Sequence, residues 1–149
     1  MNSGERGKRR IADDQGSAVI EFIVLVVAVL MPMVFIVIAA AQVHAASRAS
    51  EHAVREAARA FMMAPTPTAA QHAAHTAASL ALLDHGLELP AQALRIRCSG
   101  PCLQPETTVT MDLRWRMPLP WLPEVLQGPT AVPITAAQTL PIDVYRGEP

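Results

Sequence analysis

The chain has 149 residues, 51% of them hydrophobic, and a formal net charge of −1 with neutral histidines. So balanced a charge gives no sign of nucleic acid or of a strongly charged partner. About a third of the chain goes to one apolar segment and its continuation, which leaves room for one domain at most. That remainder approaches the size at which a hydrophobic core alone is marginal.

Residues 1–16 are polar, contain glycine, and cluster Arg6, Lys8, Arg9 and Arg10. They read as a leader without regular structure. Basic residues ahead of an apolar span stay on the cytoplasmic side, so the C-terminal part is expected outside. The Arg9-Arg10 pair raises a twin-arginine export signal, but Ile11-Ala12-Asp13-Asp14 is poor company for one. From Phe22 to Ser47 there is no Asp, Glu, Lys or Arg. A bilayer crossing needs roughly 20 apolar residues, so a span at about 20–41 fits. Pro32 lies within it; membrane helices tolerate proline, and a local bend without a role is the plain reading. Ala39-Ala40-Ala41 before Gln42 offers a small-x-small site for a secretory signal peptidase. Against this, the apolar run exceeds that of an ordinary signal peptide, and it opens with a glutamate.

That glutamate, Glu21, is the anomaly. A carboxylate costs about 2.5–3.5 kcal/mol at the middle of a bilayer and less near an interface. A mere anchor has no use for it.

The helix is expected to run on past the span. Gln42–Met63 lacks Gly and Pro and is rich in Ala. Val43, Ser47, Ser50, Val54, Ala57 and Phe61 form one stripe at helical spacing, with Arg48, Glu51, Arg55, Glu56 and Arg59 largely off it as a solvated face. Ala64-Pro65-Thr66-Pro67-Thr68 breaks the helix. A second helix follows, from Pro67 or Ala69 to His85, capped by Thr66 or Thr68 and closed by Gly86. Its buried face reads as Ala70, Ala73, Ala77, Leu80 and Ala81. His72 and His75 lie one turn apart, but the sequence places no third metal ligand beside them, so they read as exposed helix histidines.

From Leu94 the apolar period becomes two. Leu94, Ile96 and Cys98 alternate with Arg95 and Arg97. Val109, Met111, Leu113, Trp115 and Met117 alternate with Thr108, Thr110, Asp112, Arg114 and Arg116. Asp112 and Asp143 read as surface charges. Met117-Pro118-Leu119-Pro120-Trp121-Leu122-Pro123 is a proline-rich loop, a plug over the core or a contact with membrane or partner. In a last strand Ile134, Ala136, Leu140, Ile142 and Val144 share one parity, and Pro133 and Pro141 put it at an edge. The fold class is therefore α+β: a long N-terminal transmembrane helix extended outside the membrane, a second helix, and a small antiparallel sheet. Cys98 and Cys102 form a disulfide if this half is outside the cytoplasm; free thiols or half a metal site are the alternatives. No nucleophile–base set, phosphate loop or metalloprotease motif occurs, so neither an enzyme nor a cofactor is expected.

A basic leader, Gly16, Ser17, Glu21 five residues beyond the glycine, Phe22 and then a long apolar helix resemble the class III signal of type IV prepilins and pseudopilins. More closely, the chain resembles the small TadE-like minor pseudopilins of tight-adherence (Flp) pilus systems. The motif covers residues 15–60, and the cysteine pair and proline-rich loop resemble the soluble domains of that family more loosely. The resemblance implies a leader at 1–16, a span and its extension at 17–63, and an extracytoplasmic domain at 64–149. It implies cleavage after Gly16 by a membrane prepilin peptidase, giving a mature N-terminus at Ser17. Glu21 and Phe22 would then set the register of helix stacking. The implied partners are the membrane, the peptidase, other pilins or pseudopilins and the pilus assembly platform, with no nucleic acid. The localisation is a single-pass membrane protein with a cytoplasmic N-terminus. The rival readings are an uncleaved anchored binding module, a domain released after Ala41, and a pseudopilin of a secretion or competence machine.

Overall fold

The computed structural model describes residues 4–119 and 124–142. It divides into two compact units, Met1–Ala40 and Ala41–Pro149.

Helix α1 runs Gly4–Met63 and continues through Pro32. In the first unit its side chains from Ala18 to Ala40 are almost all exposed, including Ile20, Phe22 and Ile36 at 65%, 65% and 67%. A helix that is apolar all round and buries nothing in its own chain has its apolar surface free for lipid or for other helices. Residues 4–16 are helical where the sequence suggested an unstructured leader. The physical reason is continuity. Glu5, Arg6, Lys8, Arg9, Arg10 and Ala12 are good helix formers. Added to an existing helix, they avoid the cost of nucleation.

The second unit is the α+β domain. The last turns of α1, from Ala46, bury Ala49, Ser50, Ala53, Val54, Ala57, Ala58 and Phe61. Of the expected stripe, Ser50, Val54, Ala57 and Phe61 are buried and Val43 and Ser47 are half-buried, and a second row of alanines widens it. Arg48, Glu51, Arg55 and Arg59 are exposed, and Glu56 is half-buried. Arg55 pairs with Glu51 one turn back at 3.6 Å, a largely solvated contact of small energetic weight.

Helix α2 spans Pro67–Leu83. Thr66 is its N-cap, its Oγ1 accepting the Ala69 N–H at 3.3 Å, and Pro67 occupies a first-turn position where no N–H is needed. Gly86 closes the helix with φ 69°, and its N–H donates to the Leu83 carbonyl at 2.8 Å. The buried face is Ala70, Ala74, Ala78, Ala81 and Leu82, not the row through Ala73, Ala77 and Leu80. Ala73 and Ala77 are only half-buried, and Leu80 is 58% exposed. Alanines surround this helix, so apolar spacing alone fails to fix its rotation. The packing of Leu82 into the core decides it.

Strands β1 (Leu94–Cys98), β2 (Thr108–Met117) and β3 (Val132–Pro141) form an antiparallel sheet in the order β1-β2-β3. Leu94 faces Leu113 and Cys98 faces Val109; Trp115 faces Ile134 and Thr108 faces Pro141. Pro133 and Pro141 do lie on an edge strand, where a missing N–H costs no ladder bond. Val109, Met111 and Leu113 are buried and share one cluster with Phe61, Val54 and Leu82, so both helices cover this side of the sheet. Trp115 Nε1–H donates to the buried Ser50 Oγ at 3.1 Å, tying β2 to α1 across 65 positions of sequence. Ile142 is buried just past β3, its N–H bonded to the Thr107 carbonyl at 2.8 Å. A short helix α3, Glu124–Thr130, precedes β3 and has no counterpart in the apolar pattern. Trp121, Asp143 and Val144, given roles by the sequence, lie outside the described residues.

Candidate functional site

Three places in the chain carry chemistry or unusual exposure. The first is the start of the apolar helix. Gly16 and Ser17 lie in helical backbone. Glu21 is exposed, with Ile20 and Phe22 exposed beside it. A single carboxylate thus opens an otherwise uninterrupted apolar surface. Ala18–Met63 contains a window long and apolar enough to cross a membrane, none of it buried. By composition such a helix is a membrane span or a signal sequence.

The second is the disulfide. Cys98 and Cys102 are bonded, with their Cα atoms 5.5 Å apart. Thiol chemistry and half a metal site are therefore set aside at this pair. Cys98 ends β1, and the turn that follows is fastened to β2. The Ser99 N–H donates to the Thr108 carbonyl at 3.0 Å, and Ser99 Oγ accepts the Thr108 N–H at 2.9 Å. Leu103 and Glu106 in the same loop hold φ at 70° and 64°. Such left-handed backbone is disfavoured for residues with a Cβ. The disulfide closes residues 98–102, just ahead of both. In the chain-entropy account a link closing so short a loop contributes about 2 kcal/mol. Replacing both cysteines by serine should lower the stability of the domain by about that amount, read from denaturant unfolding. Without reducing agent, intact mass of the wild type should be lighter than the reduced form by two hydrogens.

The third is a groove of about 630 Å³ lined by His44, Ser47, Arg48, Glu51, His52, Arg55 and His85. His52 and His85 meet edge to face, their ring centroids 6.5 Å apart. Neither His72 nor His75 takes part, and both are exposed. Among the described residues no group of three or more His, Cys, Asp or Glu side chains is placed to hold a metal ion.

Asp112 is a correction to the sequence reading. It is only 7% exposed, and its carboxylate is held by the Arg97 guanidinium. Its position on the polar parity of β2 suggested a surface charge. What hides it is its surroundings: Arg95 and Arg97 from β1 and Arg114 two residues on. Sequence parity gives the face, but the strand register that sets Asp112 opposite Arg95 is long-range information.

Fold and site together define a chain in which a helix of membrane-crossing length leads into a small disulfide-bonded α+β domain. No family model matches this chain, and no curated protein or solved structure matches it.

Proposed function

We propose that this chain is a prepilin-like minor pseudopilin, cut after Gly16, that contributes to the biogenesis or priming of a tight-adherence pilus. The observation that carries this reading is the bare apolar helix from Ala18 to Ala40, opened by the lone exposed carboxylate of Glu21 five residues past Gly16. Gly16 supplies a weak point in the helix, since glycine costs about 1 kcal/mol relative to alanine there. Local unwinding at Gly16 presents an extended peptide bond to a protease groove without a side chain in the way. Cleavage removes the basic leader and leaves a cationic α-amino group on Ser17.

On leaving the lipid, the apolar helix packs against helices of neighbouring subunits. Glu21 then pairs with the α-amino group of a neighbour. In that dry setting an unmatched charge is strongly unfavourable, which fixes the stagger of one helix on the next. Phe22 lies beside this pair and excludes water. The domain from Ala41 onward is carried outside the cytoplasm, where its disulfide persists.

A rival reading rests on the compact second unit with its own core. It makes the chain an uncleaved, single-pass anchor for an extracellular binding module. The two readings differ at Glu21. In a strain whose only copy carries Glu21→Val, fibre recovered from the cell surface should fall as far as it does on deletion of the gene. The variant itself should still reach the membrane. Fibre yield at the wild-type level in the deletion strain would remove the pilus role altogether.

A further inference from the structure

Four of the eight arginines after Ala41 lie on one side of the sheet. Arg95 and Arg97 come from β1, and Arg114 and Arg116 from β2, on the side opposite Val109, Met111 and Leu113. All four are exposed. The near-neutral net charge of the chain conceals this segregation. Asp112 is the acid in their midst, and it is taken by Arg97. Arg95, Arg114 and Arg116 have no carboxylate partner among the described residues. The rest of the face is small: Thr135, Ala137 and Thr139 on β3 are exposed beside them. Two clefts open on it. One of about 110 Å³ is lined by Arg95, Arg97, Asp112 and Arg114. One of about 350 Å³ is lined by Asp112, Arg114, Thr135, Ala136 and Ala137.

We propose that this face docks an acidic segment of a partner protein, held extended with carboxylates at alternate positions. Guanidinium forks match carboxylates in geometry, and the bond from Arg97 Nη2 to Asp112 Oδ2 already places a guanidinium–carboxylate contact on this surface. Arg95 and Arg97, like Arg114 and Arg116, are two residues apart on one strand, a spacing of about 7 Å. Alternate side chains of an extended peptide share that spacing. Nucleic acid fits less well. Trp115, the aromatic on β2, points to the opposite side and is bonded to Ser50, so among the described residues the face has no ring on which bases stack. The inference holds whether or not the leader is cleaved.

The test uses the full chain in micelles of an uncharged detergent. The probe is a fluorescent peptide with glutamates at alternate positions, followed by anisotropy at low and moderate salt. Binding should be present at low salt and weaken as salt rises. It should fall roughly tenfold or more in Arg95→Glu/Arg114→Glu, and by less in Arg95→Ser/Arg114→Ser. Arg59→Glu, which reverses one charge at an exposed position of α1, should bind as the wild type does. Unfolding curves matching the wild type keep the comparison valid, and the serine pair serves if the glutamate pair unfolds. No binding, or equal loss in the α1 variant, overturns the proposal. So does tighter binding of a single-stranded oligonucleotide of equal charge, which would make the face a nucleic-acid surface.

Discussion

Phe61→Ala should remove about 3–5 kcal/mol from the stability of the α+β domain. Phe61 is fully buried and, among the described residues, is the largest side chain so placed. It sits in a cluster in which Ala49, Ala53, Ala57, Ala58, Ala70, Ala74 and Ala78 supply much of the helix surface. Alanine has no rotamer freedom with which to reach into a void. The cavity would therefore stay open, and the cost lies toward the upper end of the range for large-to-small changes. Domains hold only about 5–15 kcal/mol in total, so this one change should remove a large fraction of the stability. Urea unfolding of the full chain in micelles, followed by near-ultraviolet circular dichroism, checks this. A loss below about 1 kcal/mol would place Phe61 outside the core.

Gly16→Val should abolish processing of the leader. A β-branched residue has a side chain that is stiff at χ1 and adds a branched Cβ where the peptide bond must enter a protease groove. It also removes the helix weak point that glycine provides. Displacing a scissile bond by about 1 Å costs on the order of a hundredfold in rate. In a cell that holds a prepilin peptidase, the Gly16→Val chain should stay full-length at times when the wild type is completely shortened. Gly16→Ala should be intermediate. The apolar run is intact in all three, so membrane insertion should be equal, which carbonate extraction reads. Rapid shortening of Gly16→Val at the same bond would leave the glycine without a role.

Much of the fold was legible because the signals are local. Gln42–Met63 lacks helix breakers, and Val54, Ala57 and Phe61 from its stripe are buried. Strand β2 alternates cleanly, and Val109, Met111 and Leu113 fall on the core side. The edge position of β3 follows from two prolines that an inner strand would reject. The failures have long-range causes. The rotation of α2 is set by what it packs against, since its alanines carry no directional signal. Helix α3 is too short for periodicity to register, with Gly128 and Pro129 inside it. The burial of Asp112 and the Ser50–Trp115 bond depend on partners that only folding brings together.

The candidate site divides in the same way. Gly16, Ser17, Glu21 and Phe22 form a motif of contiguous sequence and could be picked out directly. The arginine face could not. Its four residues occupy like parities on two strands, yet only the register between β1 and β2 makes them one surface.

The central claim is that the leader is removed at Gly16. It is tested most directly by the N-terminus of the mature protein, from intact mass of the membrane fraction in strains with and without a prepilin peptidase. A species beginning at Ser17, present only with the peptidase, is the predicted result. Full-length protein in both strains would contradict it and leave an anchored binding module. A start at Gln42 would contradict it as well, and would make the apolar helix a signal sequence.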